Sequence, residues 1–179
     1  MPRIEGELWT TTETPEQCVE LASFSCGDKR HGHEATVERI VGYYRDGEIP
    51  AATLRVTREA PSGGLVGLSI LTFRAGPIIR HRLISEAEYE NATYVHVLAL
   101  SANYRGGFTY KSDDTLLSDF LITETLGYIN EHEDGMPIVQ ALIEPGNERS
   151  REMCFRNGFE QPFVTSPDLL YVLHPDAEV

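Results

Sequence analysis

The sequence predicts one α/β domain spanning residues 1–179, and three features carry that reading. "TYVHVLAL" (93–100) and "PIVQALIE" (137–144) are short apolar runs, the pattern of strands buried on both faces. Two stretches of helical periodicity, 34–47 and 113–135, are interleaved with strand-like runs. Pro61-Ser62-Gly63-Gly64 joins two further such runs and reads as a hairpin turn.

Taken in order, "GELWTTT" is a first strand. "TPEQCVELASFS" follows as a first helix, with Thr14 as cap and Pro15 at the first helical position. In "EATVERIVGYYRDG", Val37, Ile40, Val41 and Tyr44 share one helical face, and Gly47 ends the helix. The strands "AATLRVTREA" and "LVGLSILTFRAG" form the hairpin. Residues 77–92 fit neither period and read as a long surface connection of the kind that borders binding sites. After "TYVHVLAL" the helical signal is delayed to Thr115-Leu116-Leu117, which makes Ser112 or Asp113 the expected N-cap. "PIVQALIE" leads into a short helix that Asn147 can cap and Gly158 can stop. "EQPFVTS" and "LLYVLHP" close the chain as a hairpin around Ser166-Pro167-Asp168.

Composition narrows the function. Hydrophobic residues make up 41% and charged residues 24%, with no apolar run near the roughly 18 residues a membrane span needs, so a soluble protein is expected. The first residues lack the basic start and apolar centre of a signal peptide. Cys18, Cys26 and Cys154 are too few and too scattered for a disulfide framework. Together these point to the cytoplasm. A net charge of -13 repels phosphate backbones, which argues against nucleic acid and favours a cationic amine as partner. Homodimerisation stays open. "CGDKRHGHE" holds the ligand types Cys26, His31, His33 and Glu34 at spacings that match no strong zinc motif, so no metal is expected.

The element order βααββ, β, α, β, α, ββ resembles the GNAT superfamily of N-acetyltransferases over nearly the whole chain. Two segments sharpen the resemblance. Leu98-Ala99-Leu100-Ser101-Ala102-Asn103-Tyr104-Arg105-Gly106 is similar to the strand and first part of the R/Q-x-x-G-x-G/A turn that binds the pyrophosphate of acetyl-CoA. In "NERSREMCFRNGF", Asn147, Ser150, Gly158 and Phe159 fall at the spacings of a later family signature. The resemblance implies a mixed, mostly antiparallel sheet flanked by helices, splayed near Ser101 to admit acetyl-CoA as co-substrate. Independently of any family, glycines let backbone approach a phosphate, and a helix N-terminus favours its charge. Phe108 and Tyr110 stand where the family has small residues, so Gly106, Gly107 and Lys111 become the candidate holders, with Arg105.

The implied reaction is acetyl transfer to a primary amine of a small molecule or peptide by direct attack. It needs an amine deprotonated, a carbonyl polarised and a thiolate protonated. By the period of two, Tyr94, His96, Leu98 and Leu100 share one strand face. His96 is a candidate base, its ordinary pKa near 6.5 suiting neutral pH; a buried, hydrogen-bonded histidine is the alternative reading. His96 also matches the second histidine of a pair in the arylalkylamine N-acetyltransferase branch, where Tyr94 replaces the first. Glu144, at a strand end, is the other candidate base; an exposed strand-end carboxylate is its alternative reading. Cys154 stands at the position of the family's acidic tyrosine; it is either a proton donor, with an ordinary pKa of about 8.5, or a small buried helix residue. By resemblance, Leu98, Ala99 and Leu100 would line the pantetheine arm and polarise the carbonyl, and Asn147 and Ser150 would contact the cofactor. The segment before the second helix would line the acceptor site, with Asp28, Glu34 or the Tyr43-Tyr44 pair available to an amine; the alternative readings are solvation for the two acids and core packing for the tyrosines. A domain that binds acyl-CoA or another ligand without transfer chemistry is the second reading.

Overall fold

The computed structural model describes residues 3–27, 32–75, 92–110, 115–133, 137–164 and 169–173. Its contacts group the chain into two compact units, residues 1–70 with 97–125 and residues 71–96 with 126–179. The division falls within the strands β4 (Gly64–Thr72) and β5 (Thr93–Leu100) and the helix α2 (Leu117–His132).

In the first unit, β2 (Leu8–Glu13) pairs antiparallel with β3 (Ala52–Glu59), from Leu8 opposite Glu59 to Glu13 opposite Leu54, and the strand order is β2-β3-β4-β5. The β3–β4 turn closes with Gly63 N–H donating to Glu59 O at 2.8 Å. Helix α1 (Gly32–Arg45) lays Val41 and Tyr44 into a cluster with Leu54, Val56, Leu68, Ile70, Val97 and Ala99, against which Val37 and Ile40 also pack. Its end is set by Gly47 at φ 76°, where Glu48 N–H reaches Tyr43 O (2.8 Å) and Gly47 N–H reaches Tyr44 O (3.1 Å). That paired closure needs a left-handed residue, which glycine adopts without steric cost.

The expected first helix is instead a turn at Thr14 followed by a 3-10 helix, Val19–Ser23. Cys18, Leu21 and Phe24 are all buried, a spacing of three that matches three residues per turn, while Val19 stays 73% exposed. Arg58 of β3 anchors this segment. Its guanidinium donates to Glu13 Oε1 and Oε2 (3.1 Å each), to Glu20 Oε1 (2.6 Å) and to Gly63 O (3.1 Å).

A second departure lies after β5. Helix α2 begins at Leu117, and Thr115–Leu116 form a short strand, β7, paired antiparallel with β6 (Thr109–Tyr110). β6 in turn pairs parallel with β1 (Arg3–Ile4), giving a separate three-stranded sheet of order β1-β6-β7. Ile4, Tyr110, Val66 and Leu117 bury together beneath it. The delayed helical signal is therefore a small β insertion. The expected caps Ser112 and Asp113 lie outside the described residues, as does the expected connection at 77–92 apart from Ala92.

In the second unit, β5 pairs parallel with β8 (Val139–Ile143) over Thr93–Val95 and Val139–Ala141. β8 pairs antiparallel with β10 (Leu169–Leu173), and β10 with β9 (Glu160–Val164), the expected terminal hairpin. The sheet is thus mixed and mostly antiparallel. Helix α3 (Glu148–Arg156) is capped by Asn147, whose side chain accepts from Ser150 N–H. It ends in the same paired closure as α1, with Gly158 at φ 80°, Gly158 N–H on Phe155 O (3.2 Å) and Phe159 N–H on Cys154 O (3.0 Å).

Along β5, Thr93, Val97 and Ala99 are buried, and Tyr94, His96, Leu98 and Leu100 are half-buried. In the second unit, Thr93 N–H donates to Ile138 O, beside β8, and the rings of Tyr94 and His96 lie 4.3 Å apart between centroids. In the first unit, Ser101 N–H donates to Val66 O of β4, and Leu100 packs toward Ile4, Val66 and Leu117.

Candidate active site

In the first unit, the candidate site is the turn that follows β5. Ser101 fastens its start, donating from N–H to Val66 O and from Oγ to Leu65 O, each at 2.8 Å. A short 3-10 turn, Ala102–Tyr104, leads to Gly106 and Gly107 at φ 99° and 86°. A Cβ at either glycine would meet nothing within 4 Å, so conformation rather than crowding demands glycine here. Their open backbone is free to approach a ligand.

Other groups of the turn are engaged. Arg105 Nη1 donates to Glu34 Oε1 and to Cys26 O. Leu117 N–H, at the start of α2, donates to Phe108 O at 2.9 Å, so this helix N-terminus has spent one of its first donors on the chain itself. Tyr104 Oη donates to Glu59 Oε2 at 2.7 Å. Lys111 lies outside the described residues.

In the second unit, His96 Nε2 and Thr72 Oγ1 share a hydrogen bond of 2.8 Å. The imidazole is half-buried, and burial holds its pKa below 6.5. It is therefore neutral at pH 7, the protonation state a base requires. Glu144, just past β8, accepts from Asn147 N–H (2.9 Å) through its backbone carbonyl, which fixes the entry to α3. Ser150 is half-buried in the first turn of that helix.

Cys154 is 2% exposed, and burial pushes its thiol up to about 12. The expected advantage of a thiol over a tyrosine hydroxyl as acid is thereby reversed, since tyrosine ordinarily titrates near 10. Cys154→Ala is expected to leave turnover within about twofold, with the loss confined to stability at about 1–2 kcal/mol from the small cavity. A selective loss of turnover in a folded variant would restore a chemical role.

No protein-family model and no curated protein sequence matches this chain. Solved structures do. PaiA N-acetyltransferase from Thermoplasma acidophilum, in complex with coenzyme A, superposes with a TM-score of 0.59 at 11% identity, covering 93% of this chain and 98% of that one. The Campylobacter jejuni N-acetyltransferase PseH, in complex with acetyl coenzyme A, gives 0.57 at 10% identity, with 92% and 98% covered. Ribosomal-protein-S5-alanine acetyltransferase from Vibrio fischeri gives 0.54 at 13% identity, with 94% and 93% covered. The fold is that of the GNAT N-acetyltransferases.

Set on the GNAT fold, the sequence-predicted residues divide by unit: Leu98, Ala99, Leu100, Arg105, Gly106 and Gly107 in the first, His96, Glu144, Asn147, Ser150 and Cys154 in the second. Sequence reasoning missed two partners. Thr72 has a faint signal, as a polar residue closing a largely apolar run opposite the histidine-bearing strand. Glu34 was expected to be solvated or to face an amine, and is instead 3% exposed and paired with Arg105. Tyr44 is core and Tyr43 is 43% exposed. Asp28 and His31 lie outside the described residues, among which no cluster of three metal-ligating side chains occurs.

Proposed function

We propose that this protein transfers an acetyl group from acetyl-CoA to a primary amine, with His96 as the base. The observation that carries the reading is the His96–Thr72 pair on a GNAT fold: a half-buried, neutral imidazole whose Nε2 is held by a hydroxyl. In the tautomer whose Nε2–H donates to Thr72 Oγ1, Nδ1 keeps its lone pair and takes the proton of the attacking amine. Acetyl-CoA, when bound, supplies the activated thioester. The exposed backbone at Gly106 and Gly107 fits a diphosphate that needs N–H donors and close approach. Leu98 and Leu100 would offer backbone to the pantetheine arm. The net charge of -13 favours a cationic acceptor, either a small amine or the N-terminus or lysine of a peptide.

A second reading is a domain that binds acyl-CoA without transferring the acyl group. The engagement of Arg105 and of Leu117 N–H, with the weak acidity of Cys154, favours it. Calorimetric titration with acetyl-CoA, desulfo-CoA and ADP, followed by an amine screen, separates the two. The expected result is micromolar binding, around -8 kcal/mol, weakened in Gly107→Val and accompanied by turnover. Binding without turnover on any amine would establish the second reading. No binding of any CoA species would remove both.

A further inference from the structure

The segment Ser25–Gly27, the first turn of α1 and the turn after β5 are stitched together within the first unit. Ala102 N–H donates to Ser25 O at 2.8 Å, so backbone already joins them. The Arg105 guanidinium then reaches Cys26 O and the Glu34 carboxylate. Glu34 is 3% exposed, and a carboxylate this buried is strongly unfavourable without a cation. Gly27 completes the arrangement, because a Cβ there would overlap both the guanidinium and the carboxylate. The turn thus sends its one described cation inward, while the backbone of the next two residues faces open space.

We infer that Arg105 is a positioning residue, a strut between Glu34 and the turn, and is not a ligand of the diphosphate. The inference deepens the acetyl-CoA reading, since it assigns anion recognition to the Gly106-Gly107 backbone and gives Arg105 the task of holding that backbone in place. It also ties Glu34 of α1 to the turn, so that loss of either charge loosens the same element. An Arg105 that swung out to a phosphate would give up its contacts with the Glu34 carboxylate and Cys26 O, and binding would then carry that cost.

The two roles give opposite results for Glu34. If Arg105 were a ligand held back by Glu34, Glu34→Gln would release it, tighten ADP binding and steepen its salt dependence. If it is a strut, Glu34→Gln and Arg105→Met each weaken ADP and acetyl-CoA by a similar factor, about tenfold, with the salt dependence of ADP binding unchanged. Arg105→Lys keeps the charge but not the planar guanidinium whose Nη1 reaches both oxygens, and recovers only part of the affinity. Calorimetry at two salt concentrations reads this directly. Urea unfolding of the two single variants and the double variant reads the strut without any ligand. The expected result is strong non-additivity, with Glu34→Gln/Arg105→Met no less stable than Arg105→Met alone. Additive losses, or tighter ADP binding in Glu34→Gln, would overturn the inference. If the wild-type protein bound no CoA species, the acetyl-CoA reading would fall while the unfolding cycle still decided the strut.

Discussion

His96→Gln is expected to lower kcat/KM for amine acetylation by about 10²–10³-fold at pH 7, the usual worth of a general base. Acetyl-CoA affinity should stay within about twofold, because the substitution touches no group assigned to the diphosphate. The pH profile is the sharper test. Burial places the His96 pKa below its ordinary 6.5, so the wild-type acid limb should fall below pH 6.5 and vanish in the variant. Folding carries the same signature. A histidine whose folded pKa is depressed contributes stability that is present above pH 6.5 and lost as pH falls through the folded value. Thermal unfolding at pH 5 and pH 7.5 should accordingly separate less in His96→Gln than in the wild type. An unaltered acid limb in the variant would remove His96 from the chemistry.

Arg58→Met is expected to produce the largest loss of stability, about 2–4 kcal/mol. The upper bound applies because Arg58 and Glu13 are each only 14% exposed as side chains; the lower reflects solvent screening of Glu20, at 37%. For a chain of this length that is roughly a 5–15 °C fall in Tm. Hydrogen bonding from Arg58 holds the Glu20 carboxyl below its usual 4.5. Its contribution is therefore complete above pH 4.5 and lost as pH falls below it, and this part of the acid sensitivity should disappear in Arg58→Met. A shift in Tm of less than about 2 °C would mean the network is replaced by water at little cost.

How much of this was legible depended on whether the signal was local. Gly47 and Gly158 announced two helix ends because each supplies a left-handed residue where a paired closure requires it. Asn147 announced a cap for the same reason, since its partner is three residues away. The 3-10 helix was misread because Cys18, Leu21 and Phe24 suit the opening of either period, and only the exposure of Val19 separates them. Strands of two residues, such as β6 and β7, carry no periodicity at all. Glu34 looked solvated because its partner lies 71 positions further on, a pairing no local pattern encodes.

The parallel pairing of Arg3 and Ile4 with Thr109 and Tyr110 bears on how the protein assembles. As the chain is synthesised, Arg3 and Ile4 wait until a partner roughly a hundred positions later has emerged, and closing so long a loop costs entropy before any contact offsets it. Tyr110 and Leu117 bury beneath that pairing, and Leu117 N–H ties the same element to Phe108, directly after the two glycines. The turn assigned to anion recognition is thus expected to be among the later parts of the first unit to take its shape, whereas the hairpin of β3 and β4 needs only local contacts to close.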